Sequence, residues 1–332
     1  MRTIGLVFLI LVALGFDFTN GFHDAANAVA VSITTRALRP LTALGLAAGM
    51  NIVGALISTK VAATVGKGII ATPIGTNGLV VVFAALVGGI VWNLVTWRVG
   101  LPSSSTHALV GGLVGAALGA SSPVEWHGLV DKVVIPMAAS PVIGLLGGYF
   151  VMVAILWGFR RMRPTLVNRR FKTAQIASTS AMAFSHGTQD AQKTMGVITL
   201  ALLVTGHLQS FAVPIWVILA AACAMGIGTL AGGWRVIRTL GSRITPLDPP
   251  RAFAAQTSAA TVLLVSAYGY AMPVSSTHVM TSAIMGVGAT RRLSAVRWGV
   301  AQQVVFAWLF TIPGAAVTAW IVYHLAHAVV GV

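Results

Sequence analysis

The sequence predicts an all-α polytopic membrane protein: two inverted repeats of about five membrane segments each, with broken helices and with stretches suited to re-entrant hairpins. Three observations lead there. The first is a duplication, in which Pro102-Ser103-Ser104-Ser105-Thr106-His107 returns as Pro273-Val274-Ser275-Ser276-Thr277-His278, and Gly21-Phe22-His23-Asp24-Ala25 returns as Gly187-Thr188-Gln189-Asp190-Ala191. The paired Asp residues are 166 positions apart and the paired His residues 171, in a chain of 332, so the sequence divides almost in half. The second is composition. With 57% hydrophobic and 8% charged residues and a mean hydropathy of +0.88, the chain lacks the polar surface of a soluble globule, where about a quarter of residues are charged. The third is a series of apolar runs, each near the roughly 20 residues a helix needs to cross hydrocarbon.

Those runs fall in order at about 3–33 (interrupted), 41–62, 78–97, 101–121, 133–158, 174–204 (interrupted), 212–231, 252–270, 272–290 and 299–325. None alternates every second residue, as strands of an outer-membrane barrel would. The runs at 101–121 and 272–290 open with polar residues and are equally readable as full spans or as re-entrant hairpins. The first run begins with Arg2 and an apolar stretch at 4–14. That is the outline of a signal peptide, but no small-residue cleavage site follows cleanly and the equivalent stretch of the second half lies mid-chain, so it is read as membrane helix. The lone Cys223 sits in an apolar span without a partner, which leaves disulfides no part.

The net charge of +15 is not a nucleic-acid footprint, because the basic residues lie in loops. With the N-terminus outside and one crossing per run, sixteen face the cytoplasm: Arg36, Arg39, Arg98, the cluster Arg160, Arg161, Arg163, Arg169, Arg170 and Lys172, then Arg235, Arg238, Arg243, Arg251, Arg291, Arg292 and Arg297. Only Arg2, Lys60, Lys67 and Lys132 face the other way, and Lys193 alone lies at membrane depth. This bias is the positive-inside rule. It predicts both termini outside and an odd number of crossings per half, so the halves are inverted. The organisation follows: a first repeat at 1–159, a basic cytoplasmic linker at 160–172 and a second repeat at 173–332.

Of six acidic residues, Glu125, Asp131 and Asp248 lie in loops, while Asp17, Asp24 and Asp190 lie within apolar segments. A carboxylate at the bilayer centre costs about 2.5–3.5 kcal/mol on insertion scales, so it needs a compensating partner. Asp24 and Asp190 each follow a glycine, Gly21 or Gly187, in a polar run that predicts a broken helix of the kind found at transporter binding sites. Pro102 and Pro273 are suited to start helices, and the Ser-Ser-Thr after each puts three hydroxyls in a first turn, an oxyanion cradle. Four convergent half-helices, after Gly21, Pro102, Gly187 and Pro273, would contribute roughly +2 of dipole charge, which suits a tetrahedral dianion. Two carboxylates subtract two charges and Lys193 restores one, so the loaded site is net negative and a cation must enter with the anion. Sodium, a proton or a metal ion would serve. Asn27 shares a helical face with Asp24, as Lys193 does with Asp190.

These residues resemble a known family. The runs 20–28 and 184–193 and the two Pro-x-Ser-Ser-Thr-His segments are similar to those of the inorganic phosphate transporter (PiT) family, across essentially the whole chain and in the same order. The resemblance implies a symporter that carries phosphate with a cation, is built of inverted repeats, and often assembles as a homodimer in the lipid bilayer. It implies that Ser104, Ser105, Thr106, Ser275, Ser276 and Thr277 hold phosphate, with Gly21, Gly187 and Lys193 beside them. It also implies that Asp24 and Asp190 hold the coupling cation, as metal ligands if that cation is sodium or a metal. Where the commonest family pattern has Asn before each Asp, this chain has His23 and Gln189. The His form is similar to the bacterial low-affinity branch of the inner membrane, associated with proton coupling and metal-phosphate transport. Protons are favoured here, since histidine titrates near neutral pH. No cofactor is implied.

Plainer readings stand beside these. His107 and His278 are as readily packed core residues as ligands, and His324 and His327 are interfacial. Asp17 has no counterpart in the second half, where Ala183 stands, and a private structural partner explains it as well as a site role. Lys193 could simply pair with Asp190. The Gly111-Gly112 and Gly147-Gly148 pairs suit close helix packing. Other functions compete: a sulfate permease, because sulfate is also a tetrahedral dianion; an anion channel, against which the membrane carboxylates count; and an intramembrane hydrolase. The last lacks a Gly-x-Ser-x-Gly elbow and gains nothing from two inverted copies of a triad, so an enzyme is not expected.

Overall fold

A computed structural model describes residues 2–67 and 76–330; the segment 68–75, between the predicted runs 41–62 and 78–97, lies outside them. The first half contains α1 (Arg2–Thr34), α2 (Pro40–Ile57), α3 (Lys60–Lys67), α4 (Thr76–Val99), α5 (Ser105–Gly119), α6 (Trp126–Leu129) and α7 (Ile135–Gly158), the last two joined by a π-helical stretch at Val130–Val134. The second half contains α8 (Pro164–Val204), α9 (Ile215–Ala231), α10 (Trp234–Arg238), α11 (Pro249–Leu264) with a π-helical extension at Val265–Tyr270, α12 (Ser276–Ala289) and α13 (Trp298–Val330). One series thus occurs twice: a long helix, a medium one, a short piece, a pair joined by five extended residues, and a closing long helix. The basic stretch 160–172 is less of a linker than its charge suggests. Pro164 opens α8, and 164–172 forms that helix's first turns with the arginines exposed.

Among the described residues, five helical stretches are long and apolar enough to cross a bilayer: Thr3–Thr34, Pro40–Ile57, Asn77–Val99, Trp126–Gly158 and Trp298–Val329. A sixth is added if Ile215–Ala231 and Trp234–Arg243, bent by 60°, make one span. This is a multi-pass, all-helical membrane protein, and many of its large apolar side chains, such as Phe150, Trp157, Phe306 and Phe310, face outward as lipid contact requires.

Side-chain pairs fix how the long helices run. Thr35 donates to Gln175 at 2.8 Å, Ser32 meets Thr179 at 2.6 Å, and Asp24 lies 3.9 Å from His186. Numbers rise along α1 as they fall along α8, so these two equivalent helices cross the interior antiparallel. On its other side α1 runs parallel to α4, with Phe8 against Phe83 (centroids 5.7 Å), Phe16 against Gly89 and His23 against Thr96 at 3.3 Å. Then α5 turns back along α4, bringing Ala108 to Gly89 and Gly112 to Ala85. The pair is a helical hairpin with its tip at 100–104, and α11, its extension and α12 repeat the plan with a tip at 271–275.

The segments 101–121 and 272–290 are the returning legs of these hairpins. At 1.5 Å per residue, the 15 and 14 residues of α5 and α12 reach only about 22 Å, short of a roughly 30 Å hydrocarbon core. The prolines also act differently from expectation. Pro102 and Pro273 stay in the extended tips, and the helices begin after Ser104 and Ser275, whose Oγ atoms accept from the N–H of His107 and His278 at 3.2 Å. Each tip opens with a left-handed residue, Gly100 (φ +76°) or Ala271 (φ +51°).

The expected breaks at Gly21 and Gly187 do not occur: α1 and α8 are continuous. The glycines have another cause. Gly21 packs on the Met225 carbonyl of α9, and Gly187 on the Asn51 carbonyl of α2; reciprocally, Gly54 of α2 meets the Phe184 carbonyl and Gly228 of α9 the Phe18 carbonyl. Four glycine contacts at two backbone-to-backbone crossings therefore lock each half's second helix onto the other half's first. A polar run with a glycine reads as a break in sequence, but here the glycine trades about 1 kcal/mol of helix propensity for close contact. The Gly111-Gly112 and Gly147-Gly148 pairs sit at crossings too, with Gly111 on the Ile312 carbonyl and Gly148 on the Ala283 carbonyl.

Leu in place of Gly54 or Gly228 would push a side chain into backbone, so each change should destabilise by more than the ~1–3 kcal/mol usual for over-packing. Gly45→Ala, on an outward face with open space, should leave the melting temperature unchanged or higher. Thermal unfolding of the purified variants in detergent checks both expectations.

Candidate functional site

The two hairpin tips and the midsections of α1 and α8 meet in one fully buried polar cluster. Asp24 and Asp190 are 2% and 0% exposed, so the solvation they lose must be replaced by protein groups. The hydroxyls supply it. Ser105 donates to Asp24 Oδ2 at 2.9 Å and Thr277, from the other half, to Asp24 Oδ1 at 3.2 Å; Ser276 donates to Asp190 Oδ2 at 3.3 Å. Asn27 Nδ2 donates to Thr277 at 2.9 Å and to Ser276 at 3.3 Å, tying α1 to the second tip. The tips also touch each other, with His107 and His278 rings 4.7 Å apart and His278 stacked on Trp308 at 4.0 Å.

Basic groups complete the centre. His23 Nδ1 lies 2.7 Å from Asp24 Oδ1, and its Nε2 faces Thr96 and Ser103 at 3.3 and 3.4 Å. Lys193 Nζ pairs with Asp190 Oδ1 at 2.6 Å, so the static salt bridge anticipated from their spacing is formed. His186 stands between the carboxylates, with Nε2 3.0 Å from Asp190 and 3.9 Å from Asp24. One ligand atom from each of Asp24, His186 and Asp190 lies within 4.8 Å of the others, close enough to share an ion. A set of two oxygens and one nitrogen suits a divalent metal that accepts imidazole more than it suits magnesium or calcium.

His186 was not singled out in sequence. The signal was present: it lies four residues before Asp190, on the same face of α8. Its equivalent in α1 is Asn20, so comparing halves position by position discards it as a mismatch. The α1 and α8 faces differ at Asn20 and His186, His23 and Gln189, Asn27 and Lys193, and Asp17 and Ala183.

Of the predicted site residues, Ser105, Ser276, Thr277, Asp24, Asp190, Asn27, His23 and Lys193 come together. Ser104 and Ser275 sit at the same place as caps, and the buried hydroxyl of Thr106 is left without a partner. Gln189 donates to the Leu263 carbonyl at 3.0 Å while its Oε1 stays unpartnered. Gly21 and Gly187 are the exception. They lie against neighbouring backbone, not toward an anion, and so leave the set of substrate contacts. With α1 and α8 unbroken, among the described residues only α5 and α12 aim N-termini at the centre, and the dipole contribution halves to about +1. Beside the first tip opens a cleft of about 400 Å³ lined by Val99, Gly100, Trp234, Arg235, Arg238 and Arg243.

Comparison with known proteins identifies the family and the fold. A model of the phosphate transporter family matches residues 20–168 and 160–319. A probable low-affinity inorganic phosphate transporter of Rhizobium meliloti is 47% identical over 98% of this chain and 97% of its own length; its counterpart in Bacillus subtilis is 39% identical over 97% of each. One from Mycobacterium tuberculosis (strain ATCC 25618 / H37Rv) is 46% identical over 98% of this chain and 78% of its own. A solved structure described as the sodium-dependent phosphate transporter superposes with a TM-score of 0.87 at 24% identity, covering 98% of this chain and 99% of that one, which speaks to the fold. Matched by the family model over most of its residues and by transporters of 39–47% identity along nearly its full length, this chain is a transporter and not an enzyme: the chain belongs to the phosphate transporter family.

Proposed function

We propose that this protein imports inorganic phosphate together with a cation, proton favoured, by alternating access. In this reading two inverted repeats, 1–159 and 173–332, rock about the shared centre of a homodimer-forming protein in a bacterial-type inner membrane, with both termini outside. The observation that carries it is the convergence of two hydroxyl-bearing helix N-termini, one from each half, on Asp24 and Asp190. The antiparallel run of α1 and α8 supports the inversion. Counting α4 and α5 as two spans or as one re-entrant hairpin changes the total but not the parity, since the pair returns to the side it left.

Electrostatics makes the cation obligatory. Two helix N-termini contribute about +0.5 each, Lys193 adds one and the carboxylates subtract two, so the centre is near neutral with neutral histidines. A phosphate dianion then brings roughly two uncompensated negative charges into a low-dielectric interior, a cost only accompanying positive charge removes. The rings of His23 and His186 each stand against a carboxylate, at 2.7 and 3.0 Å, so both acids of the centre have an imidazole beside them. The Asp24, His186 and Asp190 set equally suits a divalent metal arriving as metal-phosphate, carried as cargo. The basic cleft beside the first tip supports an anion path on the arginine-rich side. Sulfate has the same charge and shape, and counterflow with labelled phosphate and sulfate in proteoliposomes separates the two.

Asp24→Asn and Asp190→Asn should each abolish gradient-driven phosphate uptake while the protein still inserts and purifies; undiminished uptake in either contradicts a coupling role. Uptake run separately under a proton gradient, a sodium gradient, and with or without divalent metal should respond first to protons. Ser105→Ala with Ser276→Ala removes two donors worth about 1.5–3 kcal/mol each toward a charged group. The half-saturation concentration for phosphate should therefore rise by roughly tenfold or more, whereas Ser210→Ala and Ser242→Ala, both exposed, should leave it unchanged.

A further inference from the structure

Asp17 has no cation of its own to pair with. It is 0% exposed, and neither carboxylate oxygen meets a hydrogen-bond donor at full hydrogen-bond geometry or forms an ion pair among the described residues. The cation nearest in kind, Lys193, is committed to Asp190 at 2.6 Å. A bare carboxylate in a membrane interior is among the costliest arrangements a chain can keep, so its surroundings must explain it.

They are rich in unused oxygen. Thr194 of α8 turns its buried hydroxyl toward the Asp17 carboxylate, without reaching full hydrogen-bond geometry. One turn along α1, on the same side, Asn20 has both amide atoms buried and unpartnered. The parallel register of α1 and α4, set by Phe8 with Phe83, Phe16 with Gly89 and His23 with Thr96, puts Asn93 opposite Asn20. Asn93 likewise has its whole amide buried and unpartnered. Four side chains from three helices thus carry unsatisfied polar atoms in one neighbourhood, where buried groups are ordinarily almost all bonded. The charged groups that act on Asp17 there are Asp190, Lys193 and His186.

We propose that Asp17, Asn20, Asn93 and Thr194 enclose a second cation site, distinct from the centre at Asp24, His186 and Asp190, for a small hard monovalent cation of the sodium type. The donors are all oxygen: one carboxylate, two amide carbonyls and a hydroxyl, the set that hard cations select. A single negative charge matches a monovalent ion, where a divalent one would leave excess positive charge buried. The first centre offers imidazole and two carboxylates; this one offers neither imidazole nor a second acid. Asp17 lies two helical turns, about 10.5 Å, from Asp24 along α1. An ion here would bridge α1 and α8 to α4, the first leg of the first hairpin, and would lend its charge to the anion-binding centre.

The test is equilibrium binding of radioactive sodium to the purified full-length protein in detergent, without phosphate and at fixed pH. The wild type should bind sodium saturably. Asp17→Asn should weaken that binding by more than the roughly 10-fold loss that removal of even an outer partner produces, and Asn93→Ala and Thr194→Val should weaken it in the same direction. Asp24→Asn should leave it in place, which separates this site from the proposed coupling centre, whose failure would show in phosphate uptake instead. Absence of saturable sodium binding in the wild type, as expected if Asp17 merely holds a proton, overturns the proposal. So does binding unchanged in all three variants. Should Asp17→Asn not purify as a single species, the Asn93 and Thr194 variants decide alone.

Discussion

Two carboxylates that cannot reach water organise the interior of this protein. Asp24 and Asp190 are buried, and each is held by hydroxyls projecting from the tip of a helical hairpin. That requirement fixes much else. The tips must enter the core, so α5 and α12 start inside the protein and run outward, and Ser104 and Ser275 must cap them because no solvent reaches their first amides. The Thr277 hydroxyl bonds a carboxylate of the opposite half, so the halves cannot separate without stranding a buried charge. The glycine crossings of α1 with α9 and α8 with α2 hold the carboxylate-bearing helices in place around those tips.

The parts legible in sequence were those where chemistry is rare for its setting. An Asp in an apolar run and a hydroxyl triplet repeated after a repeated proline are improbable in a bilayer without a purpose, and both proved to be at the centre. Legibility failed where one residue type serves two physical ends. Gly21 and Gly187 signalled either a break or a close crossing, and only the partner helix, absent from local sequence, decides between them. Pro102 and Pro273 could open a helix or shape the turn before one; the serines two residues on competed as caps and prevailed. His186 was hidden by the very comparison of halves that exposed Asp24 and Asp190, because it stands opposite an asparagine. The unpartnered state of Asp17 could not be read at all, since it depends on what α4 and α8 bring alongside.

The departures from two-fold likeness are concentrated on the α1 and α8 faces that line the centre, and they divide its labour. Asp190 carries its own counter-ion, Lys193, at 2.6 Å. A carboxylate so paired changes its net charge little when a cation arrives, because attraction for the newcomer is offset by repulsion from the ammonium. At the equivalent position Asp24 has Asn27, which is neutral and spends its donors on Ser276 and Thr277. Asp24 therefore keeps an uncompensated charge, shared with His23 at 2.7 Å and within 3.9 Å of His186. A symmetric centre would offer two equivalent cation positions and no preferred order of filling. In the proposed symport, with one carboxylate neutralised by the chain itself, an entering positive charge would be drawn to Asp24, and the hydroxyls that would leave Asp24 to meet an anion are those of Ser105 and Thr277, one from each tip. Loading would thereby loosen or tighten both hairpins at once, the mechanical link that the proposed coupling requires.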